Sequence, residues 1–305
     1  MKYSLSASMF TLMLAVILFA SCATKAPSPP QATTEPTPAV AVTPKAESVP
    51  EKVAKERTVV VKVPVLVKES SFYSDGLPDA YSVLKLDADM KNLVERDNYD
   101  ASRADPVQRL VFEYKDGRLA AETVYESDGR IRSRRDLSYS AAGLIVKEAM
   151  TDAKGKLQSS SAYAYDASGR KTEWRVLDGS GTVKATSTYT YGPSGLTAVT
   201  MKDLGGKVTG TIKLEYQAGR LAKRSYFGAD SALQKFESYA YSGDLLEAVE
   251  YHRADGSLAS KTANSYGPMG ELAKSAEYSA SGTAGSYSTY EYQVREDSKT
   301  ETYYE

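Results

Sequence analysis

The sequence predicts an all-β chain: an antiparallel array of β-hairpin repeats, forming an elongated curved meander or solenoid of about 16 strands, behind a disordered tether. Three observations predict it. Tyr114, Tyr139, Tyr165, Tyr191, Tyr216, Tyr241, Tyr266 and Tyr292 recur at spacings of 25, 26, 26, 25, 25, 25 and 26 residues. Midway between them fall turn pairs at Asp128-Gly129, Lys154-Gly155, Ser180-Gly181, Gly205-Gly206, Asp230-Ser231, Asp255-Gly256 and Ser281-Gly282. Read as two-residue hairpin turns, these need positive φ at both central residues and split each unit into two strands of about 8–10 residues. The runs between turns alternate with period 2. Val208, Ile212, Leu214 and Tyr216 point one way, as do Leu157, Ser159, Ser161, Tyr163 and Tyr165. Their central positions are small (Ala185, Ser187, Ser260, Thr262), so the apolar face is thin and neighbour pairing must supply most of the stability.

Composition agrees. The chain has 305 residues, 38 Lys+Arg against 39 Asp+Glu, 23 Tyr, 6 Phe, and one each of His, Cys and Trp. A net charge of −1 leaves no basic field for a nucleic-acid backbone. One His and one Cys exclude a zinc cluster, an iron–sulfur site and a disulfide framework. Tyrosine in such excess suits half-exposed sheet surfaces.

Taken from the N-terminus, residues 1–21 read as a signal peptide: Lys2, then an apolar run from Met9 to Ala20 broken only by Thr11, too short to span a bilayer. Phe19-Ala20-Ser21-Cys22 follows, and resembles the lipobox of bacterial lipoproteins. The resemblance implies a diacylglyceryl group and an N-acyl chain on Cys22, hence membrane lipid as a partner and an exported, lipid-anchored location. With Ala23 and Thr24 after the cysteine, it points to the outer membrane. Ser21-Cys22-Ala23 also satisfies ordinary secretory cleavage, which would release a soluble protein. Residues 22–57 read as the tether, since seven of the 12 prolines lie between Pro27 and Pro50 and no glycine precedes Gly76. Residues 58–110 read as a degenerate β unit. Its Val59–Val67 run is interrupted by Pro64, as on an edge strand, and Leu84-Lys85-Leu86 stands where Tyr-x-Tyr would be. Residues 111–305 carry the repeats.

The pattern Tyr163-Ala164-Tyr165-Asp166-Ala167-Ser168-Gly169-Arg170 resembles the YD repeat of RHS-type proteins, and residues 108–296 share its rhythm. Other copies place Lys115, Ser140, Gly192, Gln217, Ser242, Gly267 or Gln293 where Asp166 stands. The resemblance implies β-hairpin repeats on secreted or surface proteins, some of them hollow shells around a toxin domain. This array is too short for such a shell, and no toxin domain is expected after Glu305. An outer-membrane barrel is not expected, because its lipid face could not hold Arg135, Lys235 and Glu237, which share the tyrosine-bearing face. A flat isolated sheet would need its polar edges covered or charged.

Chemistry is sparse. His252 precedes a turn with no nucleophile pattern around it, and reads as a solvated strand-end residue. Asp87-Ala88-Asp89-Met90-Lys91-Asn92 imitates a calcium loop, but puts Lys91 at a ligand position and Asn92 where glycine is required. Gly205 and Gly210 have P-loop spacing without its lysine, and read as turn glycines. No carboxylate pair stands out, and no cofactor or metal is expected. The candidate binding surface is the ladder Tyr165, Tyr191, Tyr216, Tyr241 and Tyr266, whose rings suit a glycan or a protein loop; packing of the sheet's aromatic edge explains the same residues. Trp174 reads as a packing residue. The expected function is a non-enzymatic, membrane-anchored envelope lipoprotein presenting this surface to a protein or glycan, with self-association through open edges. The alternatives are a structural spacer of the envelope, an RHS-like toxin accessory and a cell-wall glycan enzyme.

Overall fold

The computed structural model describes residues 54–304, so the expected signal peptide, Cys22 and most of the expected tether lie outside the described residues. Eighteen antiparallel strands follow one another in chain order. The first nine are β1 (Ala54–Phe72), β2 (Pro78–Leu86), β3 (Leu93–Asp100), β4 (Gln108–Lys115), β5 (Arg118–Glu126), β6 (Ile131–Tyr139), β7 (Ile145–Asp152), β8 (Leu157–Tyr165) and β9 (Lys171–Asp178). Then come β10 (Val183–Gly192), β11 (Gly195–Asp203), β12 (Val208–Gln217), β13 (Arg220–Gly228), β14 (Leu233–Ser242), β15 (Leu245–Arg253), β16 (Leu258–Tyr266), β17 (Leu272–Ser279) and β18 (Ala284–Tyr304).

The sheet closes on itself, because β1 pairs with both β2 and β18. The antiparallel hairpins are as expected, but the open meander or solenoid of about 16 strands is corrected to a closed barrel of 18. The turns are the physical reason. At Asp166–Arg170 the Gly169 amide donates to the Asp166 carbonyl and the Asp166 amide donates to the Arg170 carbonyl, with only Gly169 at positive φ (76°). This is a type I turn followed by one left-handed glycine, which adds a residue to one strand. The mid-unit turn at Gly129 (φ 81°) is built alike, and both central residues take positive φ only at places such as Asp116-Gly117. Among neighbouring pairs, β3–β4 alone runs without a register shift. Bulges bend strands and raise their twist, so a bulge at nearly every seam curls the sheet until its ends meet.

The N-terminal part differs in two details. Residues 58–110 supply three strands, β1 to β3, instead of one hairpin. β1 also begins inside the expected tether, since Ala54 pairs with Tyr304 and Arg57 with Glu301.

Pairing carries side-chain direction around the ring. Glu69, Ser82 and Asn98 share one wall, which continues through Arg135, Trp174, Arg224, Glu237 and Tyr290 back to Glu69. More protein surrounds Arg135, Lys171, Arg224, Tyr163, Tyr189 and Tyr239 on this wall than surrounds Asp97, Tyr99, Arg109 or Arg134 on the other, which marks it as the concave side. Arg135, Lys235 and Glu237 therefore face inward and, contrary to the expectation from the sequence, do not forbid a barrel. The outer wall carries Arg109, Arg134, Lys147, Arg175, Lys213 and Lys261 among Thr, Ser and Ala, together with the rings of Tyr81, Tyr99, Phe227 and Phe236; charges scattered through it are unlike the apolar band of a lipid-facing barrel.

One circuit of the ladders advances about 18 residues, which gives a strand tilt of about 35° and a radius of about 16 Å. Among the described residues only Ala121, Leu214 and Ala248 are buried apolar side chains. Elements touch only their sheet neighbours. Opposite walls do not meet, so side chains leave a lumen on the order of 20 Å across.

Candidate functional site

All eight repeat tyrosines sit on even-numbered strands at the same end and face inward, forming a ring inside one rim. Six of them donate their hydroxyl to a carbonyl on the preceding strand. Tyr165 bonds Ile145 at 2.7 Å, Tyr191 bonds Lys171 at 2.9 Å and Tyr266 bonds Leu246 at 2.8 Å. Tyr114, Tyr139 and Tyr292 reach Leu93, Leu119 and Leu272 in the same way. The Tyr216 hydroxyl lies beside Gly195 without such a bond, and Tyr241 also lacks one. Arginines of the preceding turn cover ring faces: Arg118 lies 5.7 Å from the Tyr139 ring, Arg170 5.0 Å from Tyr191 and Arg220 5.8 Å from Tyr241.

The repeat motif thus has a mechanical meaning. Tyrosine latches the rim end of its strand to the strand before it. Asp166 accepts the Ser168 and Arg170 amides and so shapes the turn. Gly169 takes the left-handed position, and Arg170, paired to Asp166 at 2.7 Å, stacks on the next tyrosine. The five ladder tyrosines are brought together as expected, with hydroxyls of Tyr165, Tyr191 and Tyr266 committed to the wall. Cys22 lies outside the described residues.

Deeper in the lumen, side chains beyond the tyrosine ladder form two separate clusters. On β5–β10, Arg135 bridges Glu122 (2.5 Å) and Glu148 (3.5 Å). Burial, reinforced by Glu148, pushes the Tyr163 phenol up to about 12. Tyr163 lies 6.5 Å from the Trp174 ring at 14°, and Trp174 donates its indole N–H to Ser161 Oγ at 3.0 Å. The Lys171 ammonium sits 4.6 Å from the Tyr163 ring and 5.6 Å from Tyr189, and burial pushes its pKa below the usual lysine range. On β13–β14, Glu237 is 9% exposed and accepts from Tyr226 (2.8 Å), Tyr239 and Arg224 (3.4 Å). Burial first, then the hydrogen bond to Glu237, raises the Tyr239 phenol far above its ordinary range. The first tyrosine of each Tyr-x-Tyr pair was the available signal for this deeper row, since Tyr163, Tyr189 and Tyr239 stand two residues before the rim.

His252 is on the outer wall. Its ring stacks on Phe236 at 4.5 Å, Nδ1 donates to the Gly256 carbonyl at 3.3 Å, and Nε2 lies 3.2 Å from the Ser238 hydroxyl. Asp87 spends its carboxylate on the Lys91 amide and the Asn92 side chain, closing the β2–β3 turn. Among the described residues no three His, Cys, Asp or Glu side chains are grouped to hold a metal ion. A cleft of about 500 Å³ opens where β1 and β2 part, between Val67, Leu84, Leu86 and Gln293.

No family model matches the chain. No curated protein matches it either. Solved structures similar to it include a porin-like protein from Bacteroides uniformis, at 12% identity and a TM-score of 0.42, covering 75% of this chain and 98% of that one. A porin-like protein from Bacteroides vulgatus gives 11% identity and a TM-score of 0.35, with coverage of 75% and 98%. TcdB2–TccC3 without its hypervariable C-terminal region gives 10% identity and a TM-score of 0.26 over 70% of this chain and 15% of that one.

Proposed function

We propose that the protein is a non-enzymatic lipoprotein of the bacterial envelope, held at an outer membrane by acyl chains on Cys22. Its hollow barrel receives a protein or glycan partner against the inner wall, with the tyrosine ladder as the mouth of that site. One observation carries the reading. Tyr163, Trp174, Tyr189, Tyr226, Tyr239 and Tyr251 face an open lumen beside the charges of Arg135, Lys171, Arg224 and Glu237. Planar side chains with a polar edge, placed where water must be displaced, are the chemistry of a wet recognition surface.

The test places a photo-crosslinking residue at 189, facing inward, or at its neighbour 188, facing outward, in cells producing the full chain. The proposal expects adducts from 189 and none from 188; adducts from 188 alone would contradict it. Intact mass of the membrane-extracted protein, with Cys22→Ala beside it, tests the anchor separately. Acyl mass on an N-terminal Cys22, absent from the variant, is expected.

A further inference from the structure

Beyond the rim, β1 and β18 continue together as a two-stranded arm. β2 pairs with β1 only over Lys68–Phe72, and β17 pairs with β18 only over Ala284–Thr289, yet β1 and β18 stay paired as far as Ala54 and Tyr304. Among the described residues, each arm strand therefore has one edge that no other strand covers. An isolated two-stranded ribbon is marginal in water, and at least a third strand is needed for independent stability.

The two edges differ in character. The β18 side reads Arg295-Glu296-Asp297-Ser298-Lys299-Thr300-Glu301, with charges at five of seven positions, as on edges protected from pairing. Over the same rungs the β1 side reads Arg57-Thr58-Val59-Val60-Val61-Lys62-Val63, with two charges and four valines, between the charged Lys55-Glu56 and Pro64, which has no amide to donate. Val60 is 63% exposed and Val61 38% exposed. The uncovered edge runs down into the cleft between Val67, Val83, Leu84 and Leu86. At this seam Leu86 occupies the position that elsewhere holds a latching tyrosine, so the apolar track continues past the rim.

We propose that the β1 edge of the arm pairs with the β1 edge of a second copy of this chain, giving a four-stranded sheet in the order β18–β1–β1–β18. The charge pattern selects this occupant. Like-with-like pairing across a two-fold axis covers both valine edges and leaves the two charged β18 edges outside, so assembly stops at two. Pairing β1 with the β18 of another copy would repeat without end.

The test measures mass by sedimentation equilibrium on the full exported Cys22→Ala chain, which has no acyl group to drive micelles. The expected mass is twice that of one chain at about 50 µM. Placing lysine at both Val60 and Val61 puts like charges on both faces of the facing edges and returns the mass to one chain, with the far-ultraviolet spectrum unchanged. Mixing that variant with one carrying glutamate at both positions restores a two-chain species. Glu296→Lys, on the other edge, leaves the dimer as it was. A single-chain mass throughout, a mass that climbs past two chains, or a dimer indifferent to the lysines overturns the proposal.

Discussion

If the rim tyrosines hold the barrel through their hydroxyls, removing one oxygen atom at a time should give graded costs set by what each hydroxyl touches. Tyr165→Phe keeps the ring, its burial and its packing, and deletes only the 2.7 Å bond to the Ile145 carbonyl. A net hydrogen bond contributes about 1 kcal/mol, and at a half-exposed rim water recovers part of it, so the expected loss is about 0.5–1 kcal/mol. For a domain of this size that lowers Tm by about 2 °C. Tyr266→Phe deletes an equivalent bond, but the Leu246 carbonyl also accepts from the Asn264 amide at 2.9 Å and stays partnered, so the loss shrinks to a few tenths of a kcal/mol. Tyr216→Phe deletes a hydroxyl with no carbonyl partner and should cost about nothing. Urea unfolding followed by the fluorescence of Trp174, the single tryptophan, measures all three. Equal losses in the three variants, or no loss in Tyr165→Phe, would refute the latch.

Other consequences follow from the charged and glycine positions. The Tyr163 phenol is pushed up to about 12 chiefly by burial, so the neutral form is favoured in the folded state. Stability is then complete below the unfolded tyrosine pKa near 10 and falls as pH rises from there towards 12, a slope that Tyr163→Phe reduces in denaturation series across that range. Asp97 is 2% exposed on the outer wall; burial alone would lift its carboxyl, but hydrogen bonds from Arg109 (2.8 Å) and Lys85 (3.0 Å) outweigh this and hold it below the usual range. Its contribution is present above the unfolded carboxylate pKa near 4 and is lost as pH falls through the lower folded value; Asp97→Asn costs about 2 kcal/mol at pH 7 and flattens the acid limb, measured by urea midpoints from pH 2 to 7. At Gly155, φ is 75° and an added Cβ meets nothing within 4 Å, so Gly155→Ala costs only the backbone strain of about 1 kcal/mol. At Gly179 an added Cβ would lie 2.4 Å from the Leu157 carbonyl oxygen, and Gly179→Ala should cost at least about 2 kcal/mol by the same denaturation assay.

Local signals made most of the strands legible. The 25-residue tyrosine rhythm located β4 to β18, and alternation placed Ile212, Leu214, Tyr163 and Tyr165 on the face they occupy. Closure was not legible in the same way, because it depends on one added residue per turn. The spacing in Asp166-Ala167-Ser168-Gly169 already encodes a type I turn with glycine fourth, and a two-residue reading of the mid-unit turns hid the bulges that curl the sheet. Misjudging closure also misassigned Arg135 and Glu237, which look impossible on a lipid face and ordinary in a wet lumen. The pairing of β1 with β18 joins segments more than two hundred residues apart, and no periodicity reports a contact at that range. For the site, the sequence located the rim ladder. The Glu122–Arg135–Glu148 bridge needed the pairing of β5, β6 and β7 before its members could be seen together.

Every functional statement rests on the barrel being closed, and closure lies in the ladder where Ser70 faces Thr289 and Ser71 faces Ser288. One of these two adjacent positions is a pair not joined by backbone hydrogen bonds, the geometry in which facing cysteines bridge most readily. Cysteine pairs at 70/289 and at 71/288, in the Cys22→Ala chain, should yield an intramolecular disulfide at one position or both. Intact mass before and after reduction reads the bond, and non-reducing electrophoresis shows whether it lies within one chain. Free thiols at both positions, or disulfides formed only between molecules, would mean an open sheet and would contradict the account.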